Sequence, residues 1–268
     1  MISEAFAPAK INLSLHVTGQ RADGYHLLDS LVVFADVGDR LWFEPGKVLS
    51  LDVTGPFSQG VPTDARNLVW QAAVAADWSG RIRLEKNLPN GAGIGGGSSD
   101  AATMLRYLDR ADLAAALGAD VPVCVAASAQ RMQGIGDVLT PIDGFPKLWA
   151  VLVNPGVSVA TPDVFKGLAK KQNSGMPTAL PKFHSSRELM LWLAEMRNDL
   201  ETPAIAAQPI IGDVLRALSG LSDVGLCRMS GSGGTCFVLC DSKGQAASAA
   251  HDLRKTHPDW WIVDCALS

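Results

Sequence analysis

The chain has no apolar run approaching the roughly 18–20 residues needed to cross a bilayer. Its first ten residues, MISEAFAPAK, lack the basic-then-apolar order of a secretory leader, so no export signal is expected. No cluster of basic residues offsets a formal net charge of −4. That argues against nucleic acid or an anionic membrane as partner, and leaves any anionic ligand to be held by backbone amides and a few cations. The five cysteines (124, 227, 236, 240, 265) form an odd set with no CxxC pair. Cys236 and Cys240 have no nearby histidine to complete a metal set, so buried free thiols in a reducing, cytoplasmic compartment are expected. His16, His184, His251 and His257 show no metal-ligand spacing, and no metal site of the protein's own is expected. The GxxxxGK[ST] pattern is absent, which disfavours a P-loop fold. Internal repeats and low-complexity tracts are absent as well.

What is present suits a globular chain: 268 residues, 47% hydrophobic and 19% charged. That is enough for one large domain or two modest ones. Residues 11–17 alternate Ile11, Leu13, Leu15 and Val17 with Asn12, Ser14 and His16, the pattern of a half-buried strand. Asp23-Gly24 signals a turn, with a returning strand over 27–34. Strands are expected again near 49–53 and 82–84, with a helix over 67–76 between them. A helix over 100–109 takes Ser98 or Ser99 as its cap and Asp100 in its first turn. A short helix follows at 113–117, then a strand over 148–153 stopped by Asn154-Pro155-Gly156. Helices at 185–198, 211–218 and 243–255, a strand–turn–strand over 227–239 and a strand over 260–264 complete an α+β reading. The domain cut is placed at 150, giving 1–150 and 151–268. Asp199 and Glu201 are assigned to a turn and a cap.

The most informative stretch is Pro89-Asn90-Gly91-Ala92-Gly93-Ile94-Gly95-Gly96-Gly97-Ser98-Ser99. Glycines let the backbone enter left-handed wells and lie close to a ligand, so successive N–H groups can face an anion. A helix start just beyond adds unpaired amides and the positive end of its dipole. A flexible linker is the plain alternative. Gly91-x-Gly93-x-x-Gly96 also satisfies a dinucleotide pattern, with Asp112 downstream, yet a β-rich region precedes it where that motif normally opens the fold.

PNGAGIGGGSSDAA resembles the ATP loop of the GHMP kinase superfamily. APAKINLSLHV near the start and MSGSGGTCFVL near the end resemble that superfamily's other two motifs, in the same order. The resemblance implies a two-domain α+β fold, with an N-terminal domain like ribosomal protein S5 domain 2 and a C-terminal ferredoxin-like α/β sandwich. The segments RADGYH (21–26), LGADVP (117–122), NPGV with TPDVF (154–165) and NDLE (198–201) narrow it further. They resemble the branch that phosphorylates the 2-hydroxyl of 4-diphosphocytidyl-2-C-methyl-D-erythritol in the non-mevalonate isoprenoid route. The stretch before Gly118 is several residues shorter than usual there.

On that resemblance ATP is the phosphoryl donor and Mg²⁺ arrives with it, with Ser99 a candidate ligand. The loop from Pro89 to Ser99 binds ATP, and Asn67 lies near adenine. Asp120 serves as the base and Lys10 as its partner; read alone, Asp120 in its Gly-Ala-Asp-x-Pro turn with no adjacent charge is the best candidate base, a helix cap being the plain alternative, and Lys10 is a solvated lysine. Tyr25 and Phe165 would sandwich the cytosine, though core packing is their ordinary reading, while Asn12, His26 and Thr161 also contact substrate. Other acceptors (mevalonate, homoserine, a sugar), a nicotinamide-dependent oxidoreductase and a non-catalytic nucleotide-binding regulator are the alternatives. The partner is a small molecule; monomer and weak homodimer both stay open.

Overall fold

The structure, a computed structural model, describes residues 2–222 and 224–268. Two compact units emerge, one from Met1–Lys10, Val37–Asn90 and Gly95–Ala127, the other from Ile11–Asp36, Gly91–Ile94 and Ser128–Ser268. This differs from a single cut at 150, a position that lies inside a strand, Leu148–Asn154. The cause is two long strands, β1 (Ser3–Gln20) and β2 (His26–Pro45), each of which contributes residues to both units. Asp23-Gly24 turns the chain between them, with Gly24 at φ 92° and Arg21 N donating to Tyr25 O at 2.8 Å.

The first unit adds β3 (Ser50–Thr54), α1 (Leu68–Ala75), β4 (Gly80–Glu85), α2 (Gly96–Tyr107), α3 (Ala114–Leu117) and α4 (Val121–Ala126). β3 runs parallel to β4 (Leu51 opposite Ile82), and β4 runs antiparallel to the second half of β2 (Leu41 opposite Leu84). The connection before Gly118 holds a 3₁₀ turn, Ala111–Leu113, and the four residues of α3. Phe43 and Tyr107 stack at 4.6 Å, with Trp78 edge-on to both. Such aromatic pairs contribute about 0.5–1.5 kcal/mol beyond the area they bury.

The second unit adds β5 (Gln130–Gly134), β6 (Val138–Pro141), β7 (Leu148–Asn154), α5 (Thr161–Lys166), α6 (Ser186–Ala194), α7 (Glu201–Ala207), α8 (Ile210–Ser219), β8 (Cys227–Met229), β9 (Cys236–Cys240), α9 (Lys243–Thr256) and β10 (Trp261–Leu267). β7 lies between β10 and β9, antiparallel to each, and β9 pairs with β8. The first half of β2 pairs with β5. Val151, Val153, Ile211, Val214, Val238 and Leu253 are among the residues of its apolar core.

Three expectations need correction. The polar face of β1 is not solvated: Lys10, Asn12, Ser14 and His16 are all buried. Each has a partner that offsets its desolvation; Ser14 Oγ, for example, donates to Met176 Sδ at 3.3 Å and His16 Nδ1 bonds Ser174 O at 3.2 Å. The helix expected from residue 100 starts at Gly96, with Gly95 rather than a serine at the cap and Asp100 beyond the first turn. Residues 195–198, expected as helix, leave it at Ala194, because Asn198 turns its side chain to the carbonyls of Met229 (2.8 Å) and Gly231 (2.9 Å).

Candidate active site

Gly95 sits at φ 64° and a Cβ there would stand 3.2 Å from Lys10 Cβ, so both the backbone conformation and the space call for glycine. Its carbonyl accepts from Ser99 N at 2.8 Å, the first bond of α2. The amides of Gly96, Gly97 and Ser98 therefore have no acceptor within the helix, the arrangement that receives phosphate oxygens. The middle of the loop belongs to the second unit. There Gly93, at φ 72°, lies so close to the 230–233 turn that a Cβ would fall 2.6 Å from Gly233 O. Ser230 Oγ donates to Gly93 O at 3.2 Å and Thr235 N to Ala92 O at 3.0 Å. The C-terminal glycine motif thus serves to seat the loop.

Lys10 Nζ donates to Asp120 Oδ2 at 2.7 Å; the lysine side chain is 4% exposed and the carboxylate 41%. Asp120 holds the N-cap position of α4, yet its side chain makes no capping bond. A carboxylate steadied by an ammonium and still reachable by solvent suits a group that takes a proton from a substrate hydroxyl.

A second buried cluster escaped the sequence reading. Lys86, just after β4, donates to Asp39 of β2 and, at 2.7 Å, to Asp100 of α2. Asp39 Oδ1 accepts the amides of Asn87 (2.6 Å) and Leu88 (2.9 Å). Burial above all, opposed by Lys86 and reinforced by Asp39, pushes the Asp100 carboxyl up to about 7. Burial pulls Lys86 down, but the two carboxylates more than offset this and raise it. The three residues are spread over 62 positions of sequence and each reads alone as a surface charge.

In the second unit, Asn12 Nδ2 donates to Ser30 Oγ at 2.8 Å and Asn12 N to Ser230 Oγ at 3.1 Å. Its buried Oδ1 has no partner among the described residues. His26 stacks on Phe165 with centroids 4.7 Å apart and planes at 22°. That spacing admits no third ring between them. Tyr25, 58% exposed, is not part of the stack. Burial first, then Lys171, lowers the His26 pKa, and its buried Nε2 has no partner among the described residues. A neutral imidazole so placed can meet the edge of a base. Phe165 also packs partly against the apolar core. Thr161 Oγ1 and Ser232 Oγ share a hydrogen bond of 2.7 Å.

Asn67 is occupied otherwise: Oδ1 caps α1 through Val69 N at 2.9 Å, and Nδ2 donates to Pro62 O at 2.8 Å. Asn90 Nδ2 donates to Phe57 O at 2.8 Å. Asp199 accepts from Val17 N (2.7 Å) and Glu201 from Met229 N (3.0 Å), so the first anchors β1 and the second the end of β8. The described residues hold no group of three His, Cys, Asp or Glu able to bind a metal ion. Ser99 Oγ is buried beside the loop and has no partner among them.

Residues 67–142 match the GHMP kinases N terminal domain and residues 179–259 match GHMP kinases C terminal. The chain belongs to the GHMP kinase family. This GHMP kinase is therefore a small-molecule phosphotransferase, as its loop led us to expect, and the oxidoreductase alternative falls away. It is 57% identical over 269 residues to the 4-diphosphocytidyl-2-C-methyl-D-erythritol kinase of Dinoroseobacter shibae, covering 98% of this chain and 94% of that protein. With the enzyme of the same name from Cereibacter sphaeroides it shares 54% identity, covering 100% of both. A crystal structure of 4-(cytidine 5'-diphospho)-2C-methyl-D-erythritol kinase superposes with a TM-score of 0.79 at 33% identity, covering 99% of both chains. The mevalonate kinase of L. major, at TM-score 0.64 and 17% identity over 99% of this chain and 96% of its own, shares the fold.

Proposed function

We propose that this GHMP kinase transfers the γ-phosphoryl group of ATP to the 2-hydroxyl of 4-diphosphocytidyl-2-C-methyl-D-erythritol, in the non-mevalonate route to isoprenoid precursors. One observation carries the choice of acceptor: identity of 57% and 54%, end to end, with kinases named for it. Phosphoryl transfer asks for positioning and charge stabilisation more than for covalent chemistry. Asp120 accepts the hydroxyl proton as the oxygen–phosphorus bond forms and the bond from the γ-phosphorus to the bridging oxygen breaks, releasing ADP. Lys10 holds the carboxylate in place. The amides at the start of α2 and the loop from Pro89 to Ser99 receive the phosphates. Mg²⁺ would come with the nucleotide and neutralise phosphate charge, with Ser99 Oγ as a hydroxyl ligand. Asn12, His26, Thr161 and Phe165 are assigned to the acceptor, His26 and Phe165 to its cytosine. Tyr25 enters by rotating toward the base, and Asn67 lies near adenine while its side chain caps α1.

The cytoplasm is the proposed compartment, supported by five free thiols. Among the described residues no helix is long and apolar enough to cross a membrane.

The test is ADP release with a panel of acceptors: 4-diphosphocytidyl-2-C-methyl-D-erythritol, mevalonate, homoserine and methylerythritol 4-phosphate. Turnover is expected with the first alone. Faster turnover of mevalonate or homoserine would overturn the assignment.

A further inference from the structure

The buried Asp39–Lys86–Asp100 cluster touches both ends of the glycine loop. At its start, the amides of Asn87 and Leu88 donate to Asp39 Oδ1. At its far end, Asp100 belongs to α2, the helix whose first amides face the phosphate site. Lys86 joins the two carboxylates, and all three side chains are at most 4% exposed. A Cβ on Gly96 would stand 3.4 Å from Lys86 Nζ, so the ammonium lies directly against the first residue of α2. We infer that Lys86, bridged between Asp39 and Asp100, positions the phosphate-binding loop by fixing the start of α2 against the strand end that leads into it. The inference rests on the reading of this loop as the ATP site.

Charge and burial favour positioning over direct phosphate binding or stability alone. Two carboxylates and one ammonium carry a surplus negative charge with Asp100 ionised and none with it protonated, and neither state offers the positive charge that holding phosphate directly would need. Nor does the cluster suit stability alone, since buried ion clusters replaced by apolar side chains of similar size commonly leave a protein as stable or more so. What a bridged pair gives, and an apolar patch does not, is a fixed direction between two backbone segments.

The test turns on Asp100, because removing it leaves Lys86 and Asp39 as a balanced pair. For Asp100→Leu, the dissociation constant of ATP by calorimetry should rise on the order of 10- to 100-fold, the scale of a lost charge-assisted hydrogen bond. Tm should stay equal or increase, and the KM of the acceptor should change little. Asp100→Asn, which keeps an oxygen for Lys86, should restore ATP affinity to within a few-fold. Asp100→Ala serves in place of the leucine variant if that protein does not fold. Gly95→Val is the control, since a β-branched side chain resists the left-handed backbone that starts α2 and would press on Lys10, disturbing the loop itself. Unchanged ATP affinity in Asp100→Leu or Asp100→Ala, beside a Gly95→Val that loses ATP, overturns the positioning role and leaves the loop reading standing. Retained affinity in Gly95→Val overturns the loop reading and the inference with it. An Asn variant as weak as the leucine one, or a loss of affinity that merely follows a loss of Tm, also overturns it.

Discussion

Asp120 occupies the N-cap position of α4 and caps nothing, because its carboxylate is turned to Lys10. Asparagine in its place keeps an oxygen for the lysine and loses the ability to take a proton. Asp120→Asn should leave ATP affinity near that of the unaltered protein and lower kcat by about 10²-fold or more, the usual scale for a missing general base. Steady-state kinetics with calorimetry for ATP decides this; turnover within a few-fold of normal would remove Asp120 from the role. Some of this was legible in the sequence. The GADVP turn marks Asp120 as a helix-start residue without a neighbouring charge, but a cap and a base look alike at that level. Only the tertiary contact, 110 positions apart, separates them. Lys10 illustrates the same limit. Alternation along β1 places it opposite the apolar residues, where water is the ordinary neighbour, and the fold covers that face too.

At the scale of elements, the first residue of β2 and the six-residue helix α5 supply the His26–Phe165 stack. A base stacked on such a ring gains about 1–3 kcal/mol, or roughly 5- to 150-fold in Kd. Phe165→Ala should weaken the cytidine-bearing acceptor by that factor in a binding titration. Methylerythritol 4-phosphate, which has no base, and ATP should bind as before. An equal loss for ATP, or unfolding of the variant, would return Phe165 to the core that it partly contacts. The family resemblance pairs Tyr25 with Phe165 around the cytosine. The strand turn at Asp23-Gly24 instead leaves Tyr25 exposed and presents His26 to the helix. The start of α2 differed for a related reason. Serines are the ordinary caps, but Gly95 in the left-handed region starts the helix earlier and keeps the first amides clear of side-chain oxygens.

For the whole molecule, the buried cluster links stability to pH. Asp100, pushed up to about 7 chiefly by burial, keeps in the folded protein a proton that the unfolded chain releases near the ordinary carboxylate range. Where the folded state binds more protons, stability falls as pH rises, so it should decline from about pH 4 to pH 7 on this group's account. Asp39 and Lys86 face Asp100 directly, and the Cys124 thiol of α4, itself pushed up to about 12 by burial, feels its charge. Asp100→Asn lacks the ionisable group, so its Tm relative to that of the unaltered protein should rise by a few degrees between pH 5 and pH 8. Scanning calorimetry at the two pH values tests this, and a pH-independent difference would show that Asp100 does not titrate there.

The sequence by itself determined the glycine loop, the order of the three motifs and the family. These depend on local requirements, since a left-handed backbone or a closely approached amide admits few residues besides glycine, whatever surrounds it. The tertiary structure decided which charged and polar side chains are partners. Lys10 with Asp120, Lys86 with Asp39 and Asp100, and His26 with Phe165 meet only because distant segments fold together. Desolvation and pairing act on that final arrangement, and no periodicity along the chain encodes them.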